Sequence, residues 1–85
     1  MRVAYFYLMR DRPDQVEMAA PAHAAYWREL ALPDYLGGPF RNRSGGLITF
    51  KVDSWQTAEH LVNNDPFHRQ DLLAGRWLKE WTVAA

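Results

Sequence analysis

Val3-Ala4-Tyr5-Phe6-Tyr7-Leu8-Met9 is the stretch on which the fold turns. Every position is apolar or aromatic, so an extended strand here has two apolar faces. Such a run reads as a central strand covered on both sides. With helices on one face of a single sheet, the second face needs cover from outside the layer. The strand ends in the turn-like Arg10-Asp11-Arg12-Pro13.

Working outward, Asp14-Gln15-Val16-Glu17 has the form of a capping box, an acceptor followed three residues later by Glu. It predicts a short helical lead-in, a kink at Pro21 and the main helix from Pro21 to about Ala31, ended by Leu32-Pro33. Tyr35 to Phe40 reads as a glycine-weakened edge strand, and Arg41 to Gly46 as a turn. Leu47 to Asp53 is a third strand with Ile48, Phe50 and Val52 on one face. Ser54 is an N-cap, and Ala58, Leu61 and Val62 stripe the helix that follows. Asn63-Asn64-Asp65-Pro66 stops that helix, Phe67 to Leu73 reads as a short irregular helix, and Arg76 to Val83 as the last strand.

The order is β-α-β-β-α-β, the split arrangement of an α+β, ferredoxin-like domain. It implies a four-stranded antiparallel sheet with two main helices on one face. The open face is expected to carry large side chains, Tyr5 and Tyr7 or Trp77 and Trp81, and to act as an association surface.

Eighty-five residues make one domain, spanning 1–85, with a thin core. Pairing with a second copy would add burial. Four Trp, four Tyr and four Phe need a subunit interface or a ligand pocket to hold them. Ten Lys and Arg balance ten Asp and Glu. The zero net charge provides no basic field for nucleic acid or an acidic membrane surface. There is no Cys, which excludes disulfides and thiolate chemistry. The longest apolar run is too short to span a bilayer and no signal-peptide pattern follows it, so a soluble cytoplasmic protein is expected.

Few residues carry chemistry. His23 is the strongest candidate, because imidazole both takes and gives a proton near neutral pH. A partly buried, hydrogen-bonded His is the plainer reading. Asp65 precedes Pro66 and suits a helix N-cap. Arg41 and Arg43 flank a turn and are either solvated or hold a carboxylate or phenolate. Tyr5, Tyr7, Trp77 and Trp81 wall an aromatic pocket or pack a dimer face. His23, His60 and His68 follow no metal-ligand spacing, and neither glycine pair lies in a dinucleotide-binding context, so no cofactor is expected.

The pieces Tyr5-Phe6, Pro21-Ala22-His23, Gly38-Pro39, Ser54 with Ala58, Asp65-Pro66-Phe67 and Lys79 with Trp81, in this order, resemble the YciI-like (YCII-related) family. The resemblance covers nearly the whole chain. It implies a dimeric α/β barrel with two sheets face to face and a His–Asp pair in a pocket, with Asp65 orienting His23. One resembling enzyme type removes chloride from a chlorinated hydroquinone, and muconolactone isomerases share the wider fold. The chain departs from the family pattern at Ala20, where an Arg precedes Pro-Ala-His, and one turn earlier, where a second Arg is missing. Asp71 replaces a Gly, and the loop before the third strand is short. These changes imply a substrate different from that of relatives whose arginines bind an anion.

Two functional readings follow. The first is a cofactor-independent enzyme that moves a proton on a small cyclic or aromatic metabolite in an isomerisation, elimination or cyclisation. His23 is its base, Asp65 the partner, and Tyr5, Tyr7, Arg41 and Trp77 the substrate contacts. The second is a non-catalytic dimer that binds a small ligand or another protein through the same pocket.

Overall fold

The computed structural model describes residues 1–84. Seven elements follow one another: β1 (Arg2–Met9), α1 (Pro13–Glu29), β2 (Leu36–Pro39), β3 (Gly45–Lys51), α2 (Trp55–Asn63), α3 (Pro66–Arg69) and β4 (Leu73–Glu80). The strands form one antiparallel sheet in the order β2-β3-β1-β4, the ferredoxin-like α+β arrangement. The long apolar strand β1 is central, as its composition demands.

Strand parity decides what each face holds. Val3, Tyr5 and Tyr7 point towards the helices and are buried with Ile48, Phe50, Trp27, Val62 and Phe67. Each large aromatic removes about 150–250 Å² from water, so a few of them dominate so small a core. The alternate residues face away. Phe6 sits opposite Leu47 on one side and Trp77 on the other, and its ring stacks on Trp77 at 5.1 Å. Leu8, Leu36, Leu47, Trp77 and Trp81 remain exposed. The open face therefore carries Trp77 and Trp81, while Tyr5 and Tyr7 belong to the core.

Several boundaries differ from the sequence expectation. α1 runs unbroken through Pro21, and its N-cap is Arg12 with Pro13 at the first helical position. Pro21 lacks only the N–H that would have bonded to Glu17, a loss a 17-residue helix absorbs. Asp14 is thus inside the first turn, where its charge suits the helix dipole, and is not the cap. β2 is only four residues long, because Tyr35 and Phe40 fall outside its pairing with β3. β3 starts two residues early, at Gly45 and Gly46. Those two glycines are strand residues opposite Leu8 and Tyr7, not turn residues. A Cβ on Gly45 would collide with the Tyr7 carbonyl oxygen. β4 also starts early, at Leu73, after a register shift beside Met9, and it ends at Glu80. Ala74 and Gly75, poor strand formers, hide that start in the sequence. Ser54 and Asp65 cap α2 and α3 as expected. Asp71 has φ of 56°, in the left-handed region that glycine favours and Asp tolerates. Among the described residues, no helix is long and apolar enough to cross a membrane.

Candidate functional site

The site grows from one face of α1. Ala19, His23 and Trp27 recur every four residues and point at the sheet and the α2–α3 junction. The junction presents Asp65, wholly buried at the N-cap of α3. Three donors meet its carboxylate. His23 Nδ1–H donates to Oδ1 at 2.8 Å, the Phe67 backbone N–H to the same oxygen at 2.9 Å, and Trp27 Nε1–H to Oδ2 at 3.2 Å. A buried carboxylate needs such satisfaction, and here it also ties α1 to the α2–α3 corner.

The carboxylate fixes the imidazole tautomer. A carboxylate only accepts, so Nδ1 carries the proton and Nε2 is left with a lone pair. Tyr7 OH donates to that Nε2 at 3.2 Å. The Phe67 ring stacks on the imidazole at 4.1 Å, and the Tyr7 ring meets it edge-on at 5.8 Å. The His23 side chain keeps 15% of its surface exposed, so the ring is held from several sides yet reachable. Burial, and then the Asp65 charge, hold the Tyr7 phenol well above its ordinary range. It remains a neutral hydroxyl that donates to a bare Nε2 and accepts from a protonated one.

Gly46 makes room for this arrangement. It lies across the strand from Tyr7, and a Cβ there would come within 2.5 Å of the Tyr7 hydroxyl oxygen. One turn N-terminal of His23 opens a groove of about 670 Å³, lined by Met9, Val16, Ala20 and Arg43 among others. Ala20 adds no cation to that wall, which Glu17 also lines. Of the groove's two arginines, Arg10 is paired with Asp71 at 3.1 Å.

The structure brings together His23, Asp65 and Tyr7. It sets the other expected contacts apart. Tyr5 packs beside Tyr7 with ring centroids 5.5 Å apart, but its hydroxyl faces a different cavity, described below. Trp77 lies on the opposite face of the sheet. Arg41 is exposed on the β2–β3 turn, lining a shallow depression, and Arg43 rather than Arg41 borders the groove. The sequence reading assigns no site role to Trp27, Phe67 or Gly46. The four-residue step from His23 to Trp27 was the one legible hint, since it places two N–H donors on one helix face. Among the described residues, no three His, Cys, Asp or Glu gather to hold a metal ion.

The profile of the YCII-related domain matches residues 3–82. No curated protein matches the sequence. Among solved structures, the chain is similar to 5-chloro-2-hydroxyhydroquinone dehydrochlorinase (TftG) from Burkholderia phenoliruptrix AC1100, in complex with 2,5-dihydroxybenzoquinone. The identity is 25% and the TM-score 0.83, over 99% of this chain and 96% of that one.

Proposed function

Since the chain belongs to the YCII-related family, we propose that it is a small-molecule enzyme of the eliminating kind, moving a proton on a cyclic, hydroquinone-like metabolite. The observation that carries this reading is the 2.8 Å bond from His23 Nδ1 to a buried carboxylate. It leaves a basic Nε2 on a partly exposed ring, which is the arrangement of a general base with an orienting partner. The likeness to a dehydrochlorinase with a ring-shaped ligand supports the substrate class.

In this mechanism Nε2 takes a proton from the substrate ring or its hydroxyl. The electron pair left behind forms the new double bond and expels the leaving group. The imidazolium is stabilised by Asp65, and its new Nε2–H turns to the Tyr7 oxygen until solvent removes the proton. Tyr7 therefore holds the base ready without trapping it. Trp27 and the Phe67 N–H keep Asp65 aimed through the cycle. Ala20 leaves the groove less cationic than the family pattern, which suits a neutral phenolic substrate.

We assign the active form to a homodimer closed through the open sheet face. Leu8, Leu47 and Trp77 each expose 41% there, an apolar surface that a monomer does not normally leave in water.

The test is chloride release from 5-chloro-2-hydroxyhydroquinone and related ring compounds. The wild type is expected to turn over at least one. His23→Ala should lower the rate by about 10²–10⁴ while the circular dichroism spectrum is retained. Undiminished turnover in that variant removes His23 from the mechanism. Saturable binding of the ring compounds with no turnover favours the binding module instead.

A further inference from the structure

A second cavity, of about 200 Å³, lies between α2 and β4 and takes no part in the His23 chemistry. Two donors end at it without partners. The Tyr5 hydroxyl belongs to a side chain with no exposed surface, and Nη1 of Arg76 is likewise buried and unbonded. Both residues line the cavity. The other guanidinium nitrogen, Nη2, donates to Asn63 Oδ1 at 2.8 Å, which fixes the fork in place. Among the described residues, no carboxylate pairs with Arg76.

Tyr5 and Arg76 are neighbours, and the cation partly offsets the rise that burial gives the phenol, which is pushed up to about 12. No hydrogen bond forms between them, and one from Nη1 to the phenol oxygen would give Nη1 a partner but not the phenol proton. The Tyr5 proton would still lack an acceptor, since arginine offers none. Two buried donors facing one space therefore call for an acceptor that the chain does not supply. One water is too small a filler, because 200 Å³ equals roughly seven waters. The remaining walls include Val62, Leu78 and Trp55, so the body of the occupant is apolar. Glu59 also borders the cavity, so the one Arg76 cation can balance a single incoming carboxylate but not two.

We infer that this cavity is a binding site for a small monocarboxylate, its oxygens taken by Arg76 Nη1 and Tyr5 OH and its hydrocarbon part by Val62 and Leu78. The site shares no lining residue with the His23, Asp65 and Tyr7 cluster. The inference stands on the two orphaned donors and needs no assumption about His23.

The experiment is a ¹H–¹⁵N correlation titration of the intact protein with sodium acetate and sodium benzoate, with sodium chloride at matched ionic strength as reference. Saturable shifts are expected at the amides of Val62, Asn63 and Arg76, larger for benzoate than for chloride. Arg76→Gln should weaken binding at least tenfold, and Tyr5→Phe should weaken it measurably with the spectrum otherwise preserved. Arg76→Lys, which keeps the charge but not the fork, provides the check if the Gln variant unfolds, and should also bind more weakly. No saturable shift with either carboxylate, equal shifts with chloride, or unchanged affinity in these variants overturns the assignment.

Discussion

Replacing Asp65 by Asn removes one charge and turns one acceptor oxygen into an N–H donor at a place where three donors already converge. The amide has two ways to sit. If its oxygen stays with His23 and Phe67, its NH₂ faces the Trp27 indole N–H. Trp27 is 1% exposed, so that orientation strands donors on both residues with no water to rescue them. If the amide flips, its oxygen serves Trp27 and its NH₂ donates to His23 Nδ1. The imidazole then moves its proton to Nε2, whose N–H finds the Tyr7 oxygen. The Phe67 backbone N–H and the Tyr7 hydroxyl proton are left unpaired. The flipped form keeps a bond to Trp27 and a bond to His23, and it inverts the tautomer.

The expected stability loss is about 1–3 kcal/mol for the Phe67 N–H, whose lost bond is also the lost helix cap. For a small domain with a urea slope near 1 kcal/mol per molar, the unfolding midpoint falls by about 1–3 M. Turnover of a ring compound that the wild type processes should fall by roughly 10⁴, as when a triad carboxylate becomes an amide and leaves the wrong nitrogen protonated. Long-range ¹H–¹⁵N spectra of the imidazole read the tautomer directly. Asp65→Asn with an unprotonated Nε2, wild-type turnover or an unmoved urea midpoint would refute the account.

Three further outcomes are expected. Tyr5 is pushed up to about 12 by burial, and Tyr7, Tyr26 and Tyr35 are raised for the same first cause. The unfolded chain, with phenols near ~10, releases protons first, so stability falls between about pH 10 and 12 by ~1.4 kcal/mol per unit from Tyr5 alone. Phenolate absorbance should rise together with loss of helical dichroism, and a full phenolate signal from an intact fold near pH ~10 contradicts this. Gly46→Ala should lose about 1–3 kcal/mol through overpacking against the Tyr7 hydroxyl, and Tyr7→Phe in the same chain should recover part of that loss. Additive losses in the double variant speak against the contact. Leu47→Arg, on the open face, should convert the proposed dimer to a monomer by light scattering with secondary structure unchanged, and a dimer that persists moves the interface elsewhere.

Much of the fold was legible because its signals are local. Ser54, Asp65-Pro66 and the spacing of Ala58 and Val62 name their elements without help from the rest of the chain. Pro21 misled, because a helix interior tolerates a missing donor when tertiary contacts at Ala19 and Trp27 hold both sides. Val3 to Met9 left its facing undecided, since aromatic residues occupy both parities. The register that places Tyr7 over Gly46 is a long-range fact, and it is what separates core tyrosines from the surface Phe6–Trp77 stack. The His23–Asp65 pairing came from the family likeness, for nothing local links residues so far apart in the chain. Trp27 and Phe67 stayed hidden because each also reads as ordinary core.

The buried carboxylate at the α3 cap has a consequence for how such a chain varies. The same side chain that aims the imidazole also fastens the longest helix to the rest of the molecule. A lineage that loses it does not pass through a sound but idle protein. It yields one whose corner opens more often, and cellular proteases act on that opening. Turnover in the cell then removes many disarmed copies before their missing activity is ever felt.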